Sequence, residues 1–394
     1  MRGKAVLGAV FATLACAVPG ALAAPVQATL VGWGFNRHGE LGGGFRGRAH
    51  LPLIDPQSLA GAVQVVSSWE SSYALMGDGT VWAWGADWMG QLGNGERGTE
   101  LAPVQVQGLT GVKQIAAGDA HAIALLSGGR VATWGGNMWG TLGNGTSGNG
   151  SAALRYTSDV PVYLNIQGAV AVAAGGSDDA ALLADGTVLA WGENSSGQLG
   201  DGTKADKDVP TPVPGLVNVR ALAIGGSSSH GGHILALLSD GTVRALGSNG
   251  HGELGDGTTT ERHSPVRVPG LSGVVAISTS IDHSMALLAN GGVVAWGADS
   301  FGQLGVRPTQ ICSRGSLCVP LPTRTGLTGT AISAGRLYSL VLSGGQLLAF
   351  GCNRMLTLGD AGPSTTKPAL VPGLSRVSAF DAGEFHALAI GSFS

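Results

Sequence analysis

The segment WGFNRHGELG begins at Trp33, and related text returns six more times along the chain. The copies are WGADWMGQLG at Trp84, WGGNMWGTLG at Trp134, WGENSSGQLG at Trp191, LGSNGHGELG at Leu246, WGADSFGQLG at Trp296 and FGCNRMLTLG at Phe350, spaced 50 to 57 residues apart. Such a period restricts the fold to units that stack on one another to bury a shared core. Upstream of each copy from the second onward lies a short apolar run, such as HAIALL at 121–126 or HSMALL at 283–288. A turn dipeptide follows: Asp78-Gly79, Gly128-Gly129, Asp185-Gly186, Asp240-Gly241, Asn290-Gly291 or Gly344-Gly345. These dipeptides accept the positive φ of tight hairpin turns. The motif strand comes next, then a polar loop, then a Pro-Val segment ending in Gly-Leu. Each repeat thus provides about four short strands, and helical periodicity is absent beyond the N-terminal stretch.

Four antiparallel strands per unit at a period near fifty define a propeller blade. The expectation is an all-β, seven-bladed propeller of four-stranded blades. The motif Trp is read as a wedge between neighbouring blades. The Asn or Asp at the fourth motif position is read as turning the loop by bonding its own backbone. Leu356 stands where the other copies have Gly, so the last loop is expected to be shaped differently. HALAI at 386–390 has no turn and motif strand after it, while ATLVGWG at 28–34 has no hairpin partner before it. The N-terminal strand is therefore expected to complete the blade begun by residues 377–390, which removes two sheet edges.

Residues 1–23 read as a signal peptide, with Arg2 and Lys4, an apolar run, and Ala21-Leu22-Ala23 as cleavage site. The propeller then occupies 24–394, in a secreted or periplasmic location. A lipoprotein anchored through Cys16 is the weaker alternative, because Leu14 is misplaced for that signal. No membrane span is expected. Net charge is −3 with no basic run, which argues against nucleic acid as a partner. Cys312 and Cys318, in QICSRGSLCVP, are expected to form a disulfide in an oxidising compartment, leaving Cys352 as a buried thiol.

Four upstream segments place His at one position, His121, His233, His283 and His386, with Tyr73, Asp179 and Tyr338 assigned to the other three. The reading is structural, with each side chain pinning its own turn to backbone. Asp178-Asp179 is read as loop surface. GHGELGDG at 250–257 has no helix after it and so no dinucleotide reading. No nucleophile motif, P-loop or zinc-ligand spacing is found, so neither cofactor nor metal is expected.

Because hairpin strands alternate in direction, the motif loops and the loops before the apolar runs share one rim. That rim varies towards Trp, Met, Phe and Arg, the residue types enriched at interfaces. The candidate protein-binding residues are Arg37, His38, Trp69, Trp88, Met89, Met138, Trp139, Ile281, Phe301, Arg336, Met355 and Phe385. The fourth and fifth repeats form the polar side. The expected function is non-catalytic binding of another protein by a monomer. A channel enzyme using Asp119, Asp178, Asp282 or Glu384 is an alternative.

The motif, with AAGDAHAIAL at 116–125 upstream, resembles the regulator of chromosome condensation repeat. The resemblance covers the chain beyond residue 23 and implies the seven-bladed fold. Family members include an exchange factor for a small GTPase, ubiquitin-ligase subunits and a secreted bacterial β-lactamase inhibitor. It implies protein binding through loops on one face, with exchange-factor activity as a further alternative. The candidate rim is similar in position to the surface the secreted inhibitor uses.

Overall fold

The computed structural model describes residues 29–49, 59–148, 156–227 and 229–393. The signal-peptide reading of 1–23 and the Cys16 alternative fall outside the described residues. Blade one is the antiparallel sheet Ala62–Ser67, Ser71–Met76, Val81–Asp87 and Gly98–Gln105, its strands hydrogen-bonded in chain order. Blades two, three, four and six repeat this order over 112–163, 169–212, 219–267 and 331–370. Blade five, 274–328, gains a fifth, outer strand where Gln310–Ile311 pairs with Leu317–Thr328. The Cys312–Cys318 disulfide closes that added hairpin, and Cys352 is a buried free thiol.

Blade seven joins the ends of the described chain. Thr29–Gly34 pairs antiparallel with His386–Phe393, in register Thr29↔Gly391, Trp33↔Ala387 and Gly34↔His386. His386–Phe393 pairs in turn with Leu374–Ala382. The ring therefore closes by the expected N-terminal strand.

Burial follows distance from the axis. His121–Leu126, second in its blade, is buried along its whole length, because blades cover both of its faces. The outer strand Lys207–Pro212 has no fully buried residue, because it has a neighbouring strand on one side alone. Apolar clusters span blade boundaries. Val31, Trp33 and Phe380 of blade seven pack with Leu340 and Leu347 of blade six. Each motif Trp also donates its indole N–H to the motif loop of the preceding blade: Trp33 to Thr357 O, Trp84 to Glu40 O, Trp134 to Gln91 O, Trp191 to Thr141 O and Trp296 to Glu253 O, at 2.7–2.9 Å.

The fourth motif residue turns the loop in all seven copies. Asn36, Asp87, Asn137, Asn194, Asn249, Asp299 and Asn353 each accept, through Oδ1, the amide of the motif Leu five residues on, at 2.9–3.0 Å. The seventh-position Gly needs both its positive φ and its missing side chain. At Gly90, φ is 81°, and a Cβ would stand 2.6 Å from Asp159 Cα in the next blade. Leu356 corrects an expectation. It adopts φ 63°, and the Gly359 amide bonds its carbonyl as the Gly93 amide bonds that of Gly90. The loop keeps its shape because its flanking hydrogen bonds hold Leu356 in the left-handed region.

Candidate binding rim

The two sets of loops share one rim, and backbone hydrogen bonds tie them together. The third motif residue donates its amide to the loop before the apolar run: Phe35 to Phe385 O, Ala86 to Glu70 O, Gly136 to Ala120 O, Glu193 to Ser177 O, Ser248 to Gly232 O, Ala298 to Asp282 O and Cys352 to Leu337 O, at 2.7–3.1 Å. The opposite rim is polar. Asp78, Asp185 and Asp240 each accept the amide and hydroxyl of the Thr two residues on.

The strand register changes two assignments in the recurring His position. His121, His233, His283 and His386 pair with Gly135, Gly247, Gly297 and Gly34, and the same place is held by Ser71, Asp178 and Tyr338. Tyr73 lies two residues further and Asp179 one, because their loops differ in length. The bonding partner is corrected too. His121 Nε2 meets Asp179 Oδ1 at 3.0 Å, His283 Nε2 meets Ser339 Oγ at 3.0 Å, and His386 Nε2 meets Ser72 Oγ at 2.8 Å. His233 reaches Thr279 in the same way. These side chains bridge to the following blade, and of the four His283 also meets its own turn, through Nδ1 and Ser280 Oγ at 3.0 Å. Burial drives His233 and His283 down to about 4 and His386 to about 3. Asp178 and Asp179 are buried at 1% and 0%, not loop surface, because their strand sits between two blades.

Among the candidate rim residues, Trp69 and Trp88 are the prominent exposed aromatics, at 40% and 49%. Together with Met89 and Met138 they line a pocket of about 110 Å³ between blades one and two, floored by Asp119, His121 and Gly176. Arg37 is exposed, whereas Met89, Met138, Trp139, Phe301, Arg336, Met355 and Phe385 are half-buried. Trp139 takes a left-handed backbone, φ 59°. His38 and Ile281 are buried, at 9% and 3%, and are not presented on the surface. His38 meets the Trp88 ring edge-on at 4.7 Å between centroids, and Ile281 lines the channel mouth.

A second group forms at the ring closure. Arg336 lies 5.0 Å over the Phe385 ring and pairs with Glu384 at 3.1 Å, and Phe35 approaches Phe385 at 6.0 Å. Arg354 lies 5.3 Å over Phe301. Phe35 and Arg354 were not among the candidates. Phe35 could have been found, because the other six copies have Ala, Gly, Glu, Ser or Cys at that motif position. Towards the fourth and fifth repeats the rim is polar, and Ser196, His230, Ser248, His251 and Glu261 line a cavity of about 310 Å³.

Of the four acids considered for a channel enzyme, three act on one another, since the charges of Asp119 and Asp282 both raise Glu384. Asp119 and Glu384 line the channel mouth. Burial, then the Asp119 charge, pushes Glu384 up to about 8 against the pull of Arg336. Asp178 is inside the wall, and Asp282 lies 3.3 Å from His251 Nδ1 at the rim.

Fold and rim together define a seven-bladed propeller of W-G-x-N/D-x-x-G-x-L-G repeats. The chain carries regulator of chromosome condensation (RCC1) repeats, which match at residues 78–125, 185–232, 240–287 and 274–303. It is 29% identical over 254 residues to the human E3 ubiquitin-protein ligase HERC2, covering 64% of this chain but 5% of that protein. It is 36% identical over 101 residues to the mitochondrial RCC1 domain-containing protein RUG3 of Arabidopsis thaliana, covering 26% and 22% of the two chains. Yeast RCC1 (Prp20), solved bound to Kap60, superposes with a TM-score of 0.81 at 21% identity over 100% of this chain and 95% of that one. Human WBSCR16 gives 0.77 at 21% identity, over 93% and 99%. Both structural likenesses establish the fold. No helix among the described residues is long and apolar enough to cross a membrane.

Proposed function

We propose that this protein is an exported, non-catalytic propeller that holds another protein against its motif-loop rim. The observation that carries the reading is the group of Trp69, Trp88, Met89 and Met138 around one pocket, with both indoles exposed. Rigid aromatics beside a concave apolar site are the usual anchors of protein interfaces. Yeast Prp20, whose binding properties to Gsp1p and histones are described, has the same fold. Export is supported by the residue pattern of 1–23 and by the Cys312–Cys318 disulfide. Exchange on a small GTPase is the second reading, favoured by the fold likeness to yeast RCC1. Recovery of the protein from the cytosol with residues 1–23 intact would select it.

The test is affinity capture from the native surroundings with wild type and the Trp69→Ala/Trp88→Ala double variant. The expected result is a partner captured by wild type and lost by at least tenfold in the variant, with the melting curve unchanged. Equal capture by a folded variant would remove the assignment.

A further inference from the structure

The motif loop reads His-Gly-Glu in two of the seven copies, His38-Gly39-Glu40 and His251-Gly252-Glu253. The loop of the following blade then carries an acid at one position, Glu70 and Asp282. At the other five boundaries that position holds Ala120, Ser177, Gly232, Leu337 or Phe385. The acid thus accompanies His-Gly-Glu both times and is found nowhere else. Folding brings each set together across a blade boundary, seven to one and four to five.

The distances are informative. His38 Nδ1 stands 3.4 Å from Glu40 Oε1 and 3.5 Å from Glu70 Oε1. His251 Nδ1 stands 3.3 Å from Asp282 Oδ1, and one ligand atom each of His251, Glu253 and Asp282 falls within 4.8 Å of the others. Direct N–H···O bonds are shorter, about 2.7–3.2 Å. An ion with tetrahedral bonds of about 2.0–2.1 Å sets its ligand atoms about 3.3–3.4 Å apart. His38 Nδ1 and Glu40 Oε1 are buried with no hydrogen-bond partner, although both residues are nine-tenths buried or more. Buried polar atoms left unpaired are uncommon, and an ion is one partner that satisfies them. One oxygen of Glu40 and both oxygens of Glu253 also take part in positioning. Glu40 Oε2 accepts the His38 amide at 2.8 Å and Glu253 Oε2 the His251 amide at 2.7 Å, while Ser248 Oγ donates to Glu253 Oε1 at 2.9 Å. The Trp88 ring holds the His38 imidazole edge-on.

We propose that these are two sites for a divalent transition-metal ion of the zinc class, each clamping neighbouring blades: His251, Glu253 and Asp282 form one, already gathered within one ion's reach, and His38, Glu40 and Glu70, which stand further apart, form the other. One imidazole and two carboxylates suit such an ion. The fourth position is left to water, because His38, Glu70, His251 and Asp282 each keep 11–18% side-chain exposure at the rim. This departs from the expectation of no metal, which weighed the buried belt of histidines. The ligands belong to a different position of the repeat.

The test is zinc titration of the chelator-treated full chain at pH 7.5, with bound metal measured after gel filtration. Two equivalents are expected for wild type. One is expected for Asp282→Asn or His251→Ala, one for Glu70→Gln or His38→Ala, and none for Glu70→Gln combined with Asp282→Asn. Glu70→Gln and Asp282→Asn keep shape and guard against misfolding, which circular dichroism checks. No zinc uptake by wild type, or two equivalents retained by the folded double variant, would overturn the proposal.

Discussion

At the residue scale, the fourth motif position distinguishes two chemistries in one geometry. Asn194 uses both ends of its amide: Oδ1 takes the Leu199 amide, and Nδ2 donates to Thr203 O and Ala205 O. Asp87 and Asp299, when ionised, can only accept. Asp87 Oδ2 is buried without a partner, and burial pushes both carboxyls up to about 7. A folded pKa above the unfolded value gives stability that is complete below about pH 4 and lost as pH rises towards 7. Asp87→Asn and Asp299→Asn should therefore stabilise the protein by about 1–2 kcal/mol each at pH 8 and less at pH 4.5. Denaturant unfolding at the two pH values measures this, and an equal effect at both would contradict the burial argument.

The element scale is represented by the strand Thr29–Gly34. It completes the sheet of His386–Phe393 and inserts Trp33 against blade six. Removing it exposes a strand edge and opens a cavity where the Trp was, and truncating a buried aromatic costs about 3–5 kcal/mol alone. A chain starting at Phe35 should lose its cooperative melting transition or melt far lower, by circular dichroism. An unchanged midpoint would show that the ring does not depend on this closure. The strand was legible before the structure because repeats make a missing strand visible. The Tyr73 and Asp179 assignments failed because pairing register, not spacing along the chain, decides equivalence, and loops of unequal length hide it.

On the scale of the whole molecule, the buried belt that bridges blades gives the ring a pH response. His386 is held neutral, with its pKa near 3 against 6.5 unfolded. Stability from such a group is present above about pH 6.5 and falls by up to about 1.4 kcal/mol per unit as pH drops towards the folded value. His386→Gln, which can still meet Ser72 Oγ, should lose stability relative to wild type at pH 7 and approach it near pH 5. Chemical denaturation across that range decides, and a constant gap would count against the linkage.

Composition and repeat spacing by themselves determined the blade, the number of blades, the closure and the loops that vary. These features rest on local hydrogen bonding and on periodicity, which are written along the chain. The tertiary structure alone decided which variable side chains stay exposed. It kept Trp69 and Trp88 at the surface, buried His38 and Ile281, and brought Glu70 to His38 and Asp282 to His251. The reason is that burial and ligand geometry depend on the blade next door, and the contact between two blades is not a property of either repeat.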